Sequence, residues 1–240
     1  MNIRSLSVTG AVLAISAVAG QAQDLTRSSR NWTQHLYTEV DLGGVYQQEN
    51  TTLYQSTGNP LTATFNLGIR GNVALGYDIS KSFAVEFDSG VLWNSMDKVG
   101  GASLDSKGQS FDTYTVPFLA TVIYKFPTKG SWYPYVGVGA GGAASIAAIN
   151  LGSGGGFSTS TFTCNKFVFA YQVEAGLEYK FTKNFSADVA YQFLGTTDPT
   201  WKFTTPAGPP PLGIPPATEY SFTEKGFYTH SFVLSLTWHF

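Results

Sequence analysis

Charge and cysteine are scarce in this sequence, and each shortage closes off a class of function. Only 12% of its 240 residues are charged and the formal net charge is −2. A basic nucleic-acid binder, which gathers Lys and Arg on one face, is therefore excluded. The single cysteine, Cys164, cannot staple the chain, so an exported protein of this kind does not rely on disulfides. We read it as a small loop residue, with a free reactive thiol as the alternative. No His/Cys/carboxylate spacing suits a metal site, and no cofactor motif is present. The run GSGGGFSTSTFT (152–163) superficially resembles a phosphate loop. It lacks the Lys-Ser/Thr pair and a following helix, so it reads as a surface loop.

Long apolar runs are missing too. Beyond residue 22 nothing approaches the roughly 20 residues that a membrane-spanning helix needs. The first 22 residues form a separate unit. Arg4 supplies a positive start, VTGAVLAISAVAG (8–20) a short apolar core, and Gly20-Gln21-Ala22 the small residues of a cleavage site. This pattern predicts a secretory signal peptide cut after Ala22, followed by a polar lead-in at 23–35.

What the sequence has in quantity is 18 Phe, 13 Tyr and 26 Gly. Aromatics favour pleated, half-buried surfaces, and glycine favours turns and close backbone approach. The composition is that of an all-β protein. Eight segments alternate apolar and polar residues with period two: 36–46, 62–79, 83–93, 114–126, 132–145, 166–181, 185–193 and 227–240. In 62–79 one face carries Phe65, Leu67, Ile69, Val73, Leu75, Tyr77 and Ile79. The other carries Asn66, Gly68, Arg70, Asn72, Ala74, Gly76 and Asp78.

A sandwich or soluble barrel also alternates, but buries its bulky face inside. Here the polar face is rich in Gly, Ala, Ser, Asn and carboxylates, which suit a narrow interior. The apolar face is uniformly bulky, which suits lipid. That inversion predicts an eight-stranded antiparallel up-and-down transmembrane β-barrel over residues 36–240. A sheet spanning a bilayer must close, because lipid cannot satisfy a free edge.

Connection lengths support the same reading. Segments 79–82, 127–131 and 182–184 are short, whereas 47–61, 95–110, 149–165 and 194–226 are long. Strict alternation predicts short periplasmic turns and long extracellular loops. Tyr77, Phe83, Tyr124, Phe126, Trp132, Tyr133, Tyr179, Phe181, Phe185, Trp238 and Phe240 gather at the short-turn ends. Tyr46, Phe65, Trp93, Phe111, Phe167, Tyr191 and Tyr228 lie nearer the long loops. Two aromatic belts are what two membrane interfaces call for.

The final strand, SFVLSLTWHF, alternates to its last residue. Together with the signal segment, the eight strands and the hairpin VPFLATVIYKF…YPYVGVGAGGA, it resembles the OmpA-like/OmpX-like family of small outer-membrane β-barrels of Gram-negative bacteria. The resemblance covers residues 36–240. It implies a place in the cell outer membrane, contact with outer-membrane lipid, and recognition of the last strand by the barrel-assembly machinery. Tyr228, Phe232, Leu234, Leu236, Trp238 and Phe240 would carry that signal.

An eight-stranded barrel is only wide enough for side chains to fill it, so the polar interior reads as a plug. Parity places Glu39, Asp41, Asp78, Glu86, Asp88, Glu174, Glu178 and Asp188 inside with Arg70, Lys125 and Lys180. Charges in a low dielectric are costly unless paired, which predicts an ion-pair network, with Arg70 and Glu174 able to meet across the lumen. Carboxylates outnumber cations, so part of the set is expected to be hydrated or uncharged.

Catalysis finds little support. His230-Ser231 is similar to the His and Ser of outer-membrane lipid A deacylases, but that family separates the two by one residue. Adjacent strand residues point to opposite faces, so they cannot form a nucleophile–base pair. Ser231 and His239 share a face but lie about 26 Å apart at the usual rise. The proline-rich stretch 204–220 reads as polyproline II outside the sheet. The sequence thus predicts a monomeric structural or surface-interaction protein without enzymatic activity. Its four loops would meet a host or surface ligand in adhesion, defence or envelope integrity. A small conduit for ions or apolar solutes is the alternative; a lipid-modifying enzyme and a soluble carrier are weaker ones.

Overall fold

The computed structural model describes residues 35–48, 51–55, 61–99, 101–104, 110–150, 161–198, 200–204, 219–225 and 227–240. The expected signal peptide and lead-in therefore lie outside the described residues, apart from His35. Thirteen strands run in chain order: β1 Leu36–Gln47, β2 Thr51–Gln55, β3 Leu61–Phe65, β4 Gly68–Asp78, β5 Phe83–Val99, β6 Ala102–Ser103, β7 Ser110–Lys125, β8 Trp132–Asn150, β9 Thr161–Lys180, β10 Phe185–Thr196, β11 Thr200–Thr204, β12 Glu219–Lys225 and β13 Tyr228–His239.

Eight of them close a barrel in the order β1–β4–β5–β7–β8–β9–β10–β13 and back to β1, every pair antiparallel. The closing ladder sets Val40 opposite Leu236 and Asp41 opposite Ser235, and Phe240 N donates to Leu36 O. The three short turns are built on hydroxyls. Ser80 Oγ accepts from the backbone N–H of Ser82 and Phe83, Thr182 Oγ1 accepts from Asn184 and Phe185, and Thr128 Oγ1 donates to Trp132 O. Such side chains mimic a backbone turn and reverse the chain within a few residues.

The sheet is turned as the alternation requires. Asp41 is 6% exposed and its neighbour Leu42 is 65% exposed. Val138, Phe167, Phe232 and Leu234 are likewise bare on the outer wall, while Arg70, Glu86, Asp88, Glu174, Glu178 and Asp188 are buried inside. In water this would be an inside-out protein; against acyl chains it is the stable arrangement.

Glycines open room for rings across strands. Tyr37 is paired with Gly76, Tyr135 with Gly176 and Tyr171 with Gly195. A Cβ at Gly76 would run into the Tyr37 ring, and one at Gly176 would lie 2.5 Å from the Tyr135 ring. Each aromatic lies flat over the backbone its glycine leaves bare.

Three features depart from the alternation reading. First, segment 62–79 is two strands, broken at Asn66-Leu67. β3 joins a second sheet in the order β5–β3–β2–β12–β11, which repeats above the barrel the order β5–β4–β1–β13–β10 of the wall below. Much of 47–61 and 194–226 is thus paired structure. The pieces TTLYQ and TWKFT are too short and too polar for period two to reveal them. Thr204 and Glu219–Tyr220, at the ends of the proline-rich stretch, pair in β11 and β12; 205–218 lies outside the described residues.

Second, Phe65 is not a belt residue. It is 7% exposed and packs with Ala63 and Met96, against Leu104 and Phe111. Third, Tyr133 faces the lumen mouth, where the Lys180 ammonium lies 4.8 Å from its ring centre. The ladder between β5 and β7 also has a gap. Ser89 pairs with Phe118 and Leu92 with Thr115, but the positions between are unpaired. Pro117 falls there, and proline has no N–H to give a ladder.

Candidate functional site

The lumen is the candidate site, and it is layered. At the short-turn end, Asp78, Lys125, Lys180 and His239 are contributed by the last residues of β4, β7, β9 and β13. Lys125 Nζ lies 3.5 Å from Asp78 Oδ1 and 3.6 Å from Glu178 Oε2, and Lys180 Nζ lies 3.9 Å from Glu178 Oε1. His239 Nε2 is 3.5 Å from Asp78 Oδ2. The Lys125 ammonium also lies 4.9 Å from the centre of the Tyr37 ring.

In the middle layer hydroxyls and amides replace cations as the partners of carboxylates. Tyr37 donates to Glu86 Oε1. Tyr135 and Ser235 donate to Asp188 Oδ1 at 2.8 and 3.0 Å. Thr121 donates to Asp88 Oδ2 and Thr237 to Glu39 Oε2, each at 2.9 Å. These donors give the carboxyl oxygens partners where cations are few.

Arg70 has no exposed surface. It reaches Glu174 through an intermediary. Its Nη2 donates to Gln172 Oε1 at 2.6 Å, and Gln172 Nε2 donates to Glu174 Oε2 at 3.2 Å. Gln192 Nε2 donates to the same oxygen at 3.2 Å. With its amide oxygen facing the guanidinium, Asn72 accepts from Arg70 Nε and Nη2 at 2.8 Å. Asp41, Asp88 and Glu174 supply the balancing charge.

Beyond Arg70, toward the long loops, the lumen loses its charges and mixes apolar side chains with buried hydroxyls. Val45, Leu92, Leu119, Ala143, Val168, Ala170 and Leu194 form one buried cluster. These seven come from six different barrel strands, and Thr115, Ser145, Thr229 and Ser231 are buried beside them. Below this level lies a cavity of about 10 Å³, bordered by Glu39, Glu86, Lys125, Tyr135, Glu174, Glu178 and Asp188. That is room for about one water molecule.

The structure brings all eleven sequence-chosen interior residues into one lumen, but groups them differently. Lys180 and Glu178 pair directly; Arg70 and Glu174 are bridged by Gln172; Glu39, Glu86, Asp88 and Asp188 are held by hydroxyls. Sequence reasoning missed Tyr37, Tyr135, Gln172 and Gln192. Parity was the available signal, since Tyr37 shares a face with Glu39 and Gln172 with Glu174. The six chosen residues of the last strand, Tyr228 to Phe240, all lie on the outer wall. Ser231 is buried in the lumen while His230 is turned outward, so the two cannot cooperate. Among the described residues no group of His, Cys, Asp or Glu converges to hold a metal.

A closed antiparallel barrel with a lipid-type exterior and a charged, filled interior defines a transmembrane outer-membrane protein. The outer membrane protein β-barrel domain family matches residues 10–240, and the chain belongs to it. Solved structures agree on the fold. OprG of Pseudomonas aeruginosa is similar over 86% of this chain and 97% of its own, with 13% identity and a TM-score of 0.57. A major outer membrane protein of Thermus thermophilus is similar over 85% of this chain and 99% of its own, with 12% identity and a TM-score of 0.52. Neisserial surface protein A, with 18% identity, covers 85% of this chain and 97% of its own at a TM-score of 0.47. Among curated proteins none matches at a significant level. The protein is located in the cell outer membrane.

Proposed function

We propose that this is a non-enzymatic structural and surface-interaction protein, whose plugged barrel holds the β3–β2–β12–β11 sheet and its loops at the cell exterior. The observation that carries this reading is the seal. A buried cluster of Leu, Val and Ala, interleaved with Thr115, Ser145, Thr229 and Ser231, fills the lumen beside a fully buried Arg70, and the cavity beneath it is about the size of one water molecule. Ions need a continuous wet path, and a lumen filled with side chains at this level leaves none of channel width. Reconstitution in planar bilayers is expected to give no discrete, reproducible conductance step. A regular step of fixed size would overturn the reading.

The gap at Pro117 favours one second reading, a conduit for small apolar solutes through the wall. Val91 and Val116 face one another across the unpaired stretch. A Val91→Cys/Val116→Cys pair, oxidised to a disulfide, is then expected to reduce uptake of an apolar solute into proteoliposomes at least tenfold, with recovery on reduction. Uptake no faster than in protein-free liposomes before oxidation would exclude the conduit.

A further inference from the structure

His230 is the polar residue that the outer wall has no reason to carry. Its neighbour in the chain, Ser231, is buried in the lumen, so the imidazole faces outward among lipid-facing side chains. Polar groups at the lipid boundary are costly unless bonded. Half of this imidazole is satisfied by the protein, because the Tyr191 hydroxyl lies 2.6 Å from Nδ1. When that hydroxyl donates, the ring proton belongs to Nε2. Nε2 has no partner among the described residues.

The surroundings of this imidazole are built. The register places Tyr46, His230 and Phe193 side by side on β1, β13 and β10. Ring centres lie 6.4 Å from His230 to Tyr46, 6.0 Å to Tyr191 and 5.3 Å to Phe193. Tyr228 stacks on the far side of Phe193 at 5.8 Å. These rings pack around the imidazole on the outer wall. Their position, near the long-loop ends of β1, β10 and β13, is where hydrocarbon gives way to outer-leaflet headgroups.

We propose that His230, with Tyr46, Tyr191 and Phe193, forms a docking site for the phosphorylated headgroup of one outer-leaflet glycolipid molecule. Nε2–H donates to a phosphate oxygen, and the flanking ring faces receive the apolar side of the sugar. The site is continuous with the lipid interface along the wall, which makes a lipid the occupant. It is independent of the lumen seal and of the gap at Pro117.

The test uses the full mature chain in detergent micelles, with lipid A bearing both phosphates as the probe and dephosphorylated lipid A as the control. Retention is read by native mass spectrometry. Wild-type protein is expected to retain one phosphorylated lipid, His230→Phe to lose affinity about tenfold, and the control lipid to bind no better than that variant. Folding of each variant is checked by heat-modifiable mobility on a gel. Tyr191→Phe, which keeps the ring and removes only the hydroxyl, is expected to weaken retention about threefold and serves if His230→Phe does not fold. Equal retention by wild type and the folded variant, or equal retention of both lipids, overturns the site.

Discussion

Replacing Arg70 with alanine is expected to cost about 3–5 kcal/mol in reversible detergent unfolding, the usual penalty for breaking a buried charge set. The guanidinium has no exposed surface, and it organises Gln172 and Asn72 directly and Glu174 at one remove. Removing it leaves Asp41, Asp88 and Glu174 facing one another in a lumen filled by side chains. Equilibrium unfolding in urea, followed by tryptophan fluorescence, measures the loss. A second change, Glu174→Gln in the same background, is expected to recover part of it, because the excess negative charge falls with the cation gone. An unchanged midpoint for Arg70→Ala would take Arg70 out of the stabilising network.

The second large effect is expected at Gly176. Its absent side chain is the space in which Tyr135 lies, and Tyr135 carries the hydrogen bond to Asp188. Gly176→Val drives Cγ atoms into that ring from a backbone that the barrel holds on both sides. The ring must leave, and Asp188 keeps only Ser235. Overpacking of this kind costs about 1–3 kcal/mol, and the lost hydrogen bond to a charged group adds about 1.5–3 kcal/mol. A double-mutant cycle with Tyr135→Ala separates the two. If the ring is the obstacle, Gly176→Val costs less once Tyr135 is gone. Equal cost in both backgrounds would mean that the valine is resisted by the backbone alone.

These two sites mark what was and was not legible in the sequence. Period-two alternation fixes which face a residue is on, so Arg70, Glu174 and Asp188 were assignable to the interior from their neighbours Ile69, Val173 and Val189. Alternation says nothing about height across the lumen, because the stagger between strands is a property of closure. Arg70 and Glu174 looked able to meet, yet the barrel sets Gln172 between them. Tyr135 escaped notice for a different reason. Its neighbour on the same face, Tyr133, reads as a belt residue beside the short turn, and only the small residues Gly137 and Gly139 on that face place Tyr135 indoors. The second sheet was hidden because β2, β3, β11 and β12 are each five to seven residues long and hold their places through pairing with distant strands. Phe65 shows the cost: extending the alternation through Asn66 put on the lipid side a ring that packs against Met96.

The closing ladder has a kinetic consequence. Glu39 and Thr237, joined in the lumen, are 198 residues apart in the chain. Until β13 meets β1, the growing sheet has two unsatisfied borders and no enclosed middle for Arg70 and its carboxylates. The entropy of joining ends so far apart rises only as about (3/2)RT ln n, yet it must be met in a single late event. Maturation should therefore be nearly all-or-none: a mutant that slows the meeting of β1 and β13 will accumulate as sticky, protease-sensitive chains rather than as a half-built wall.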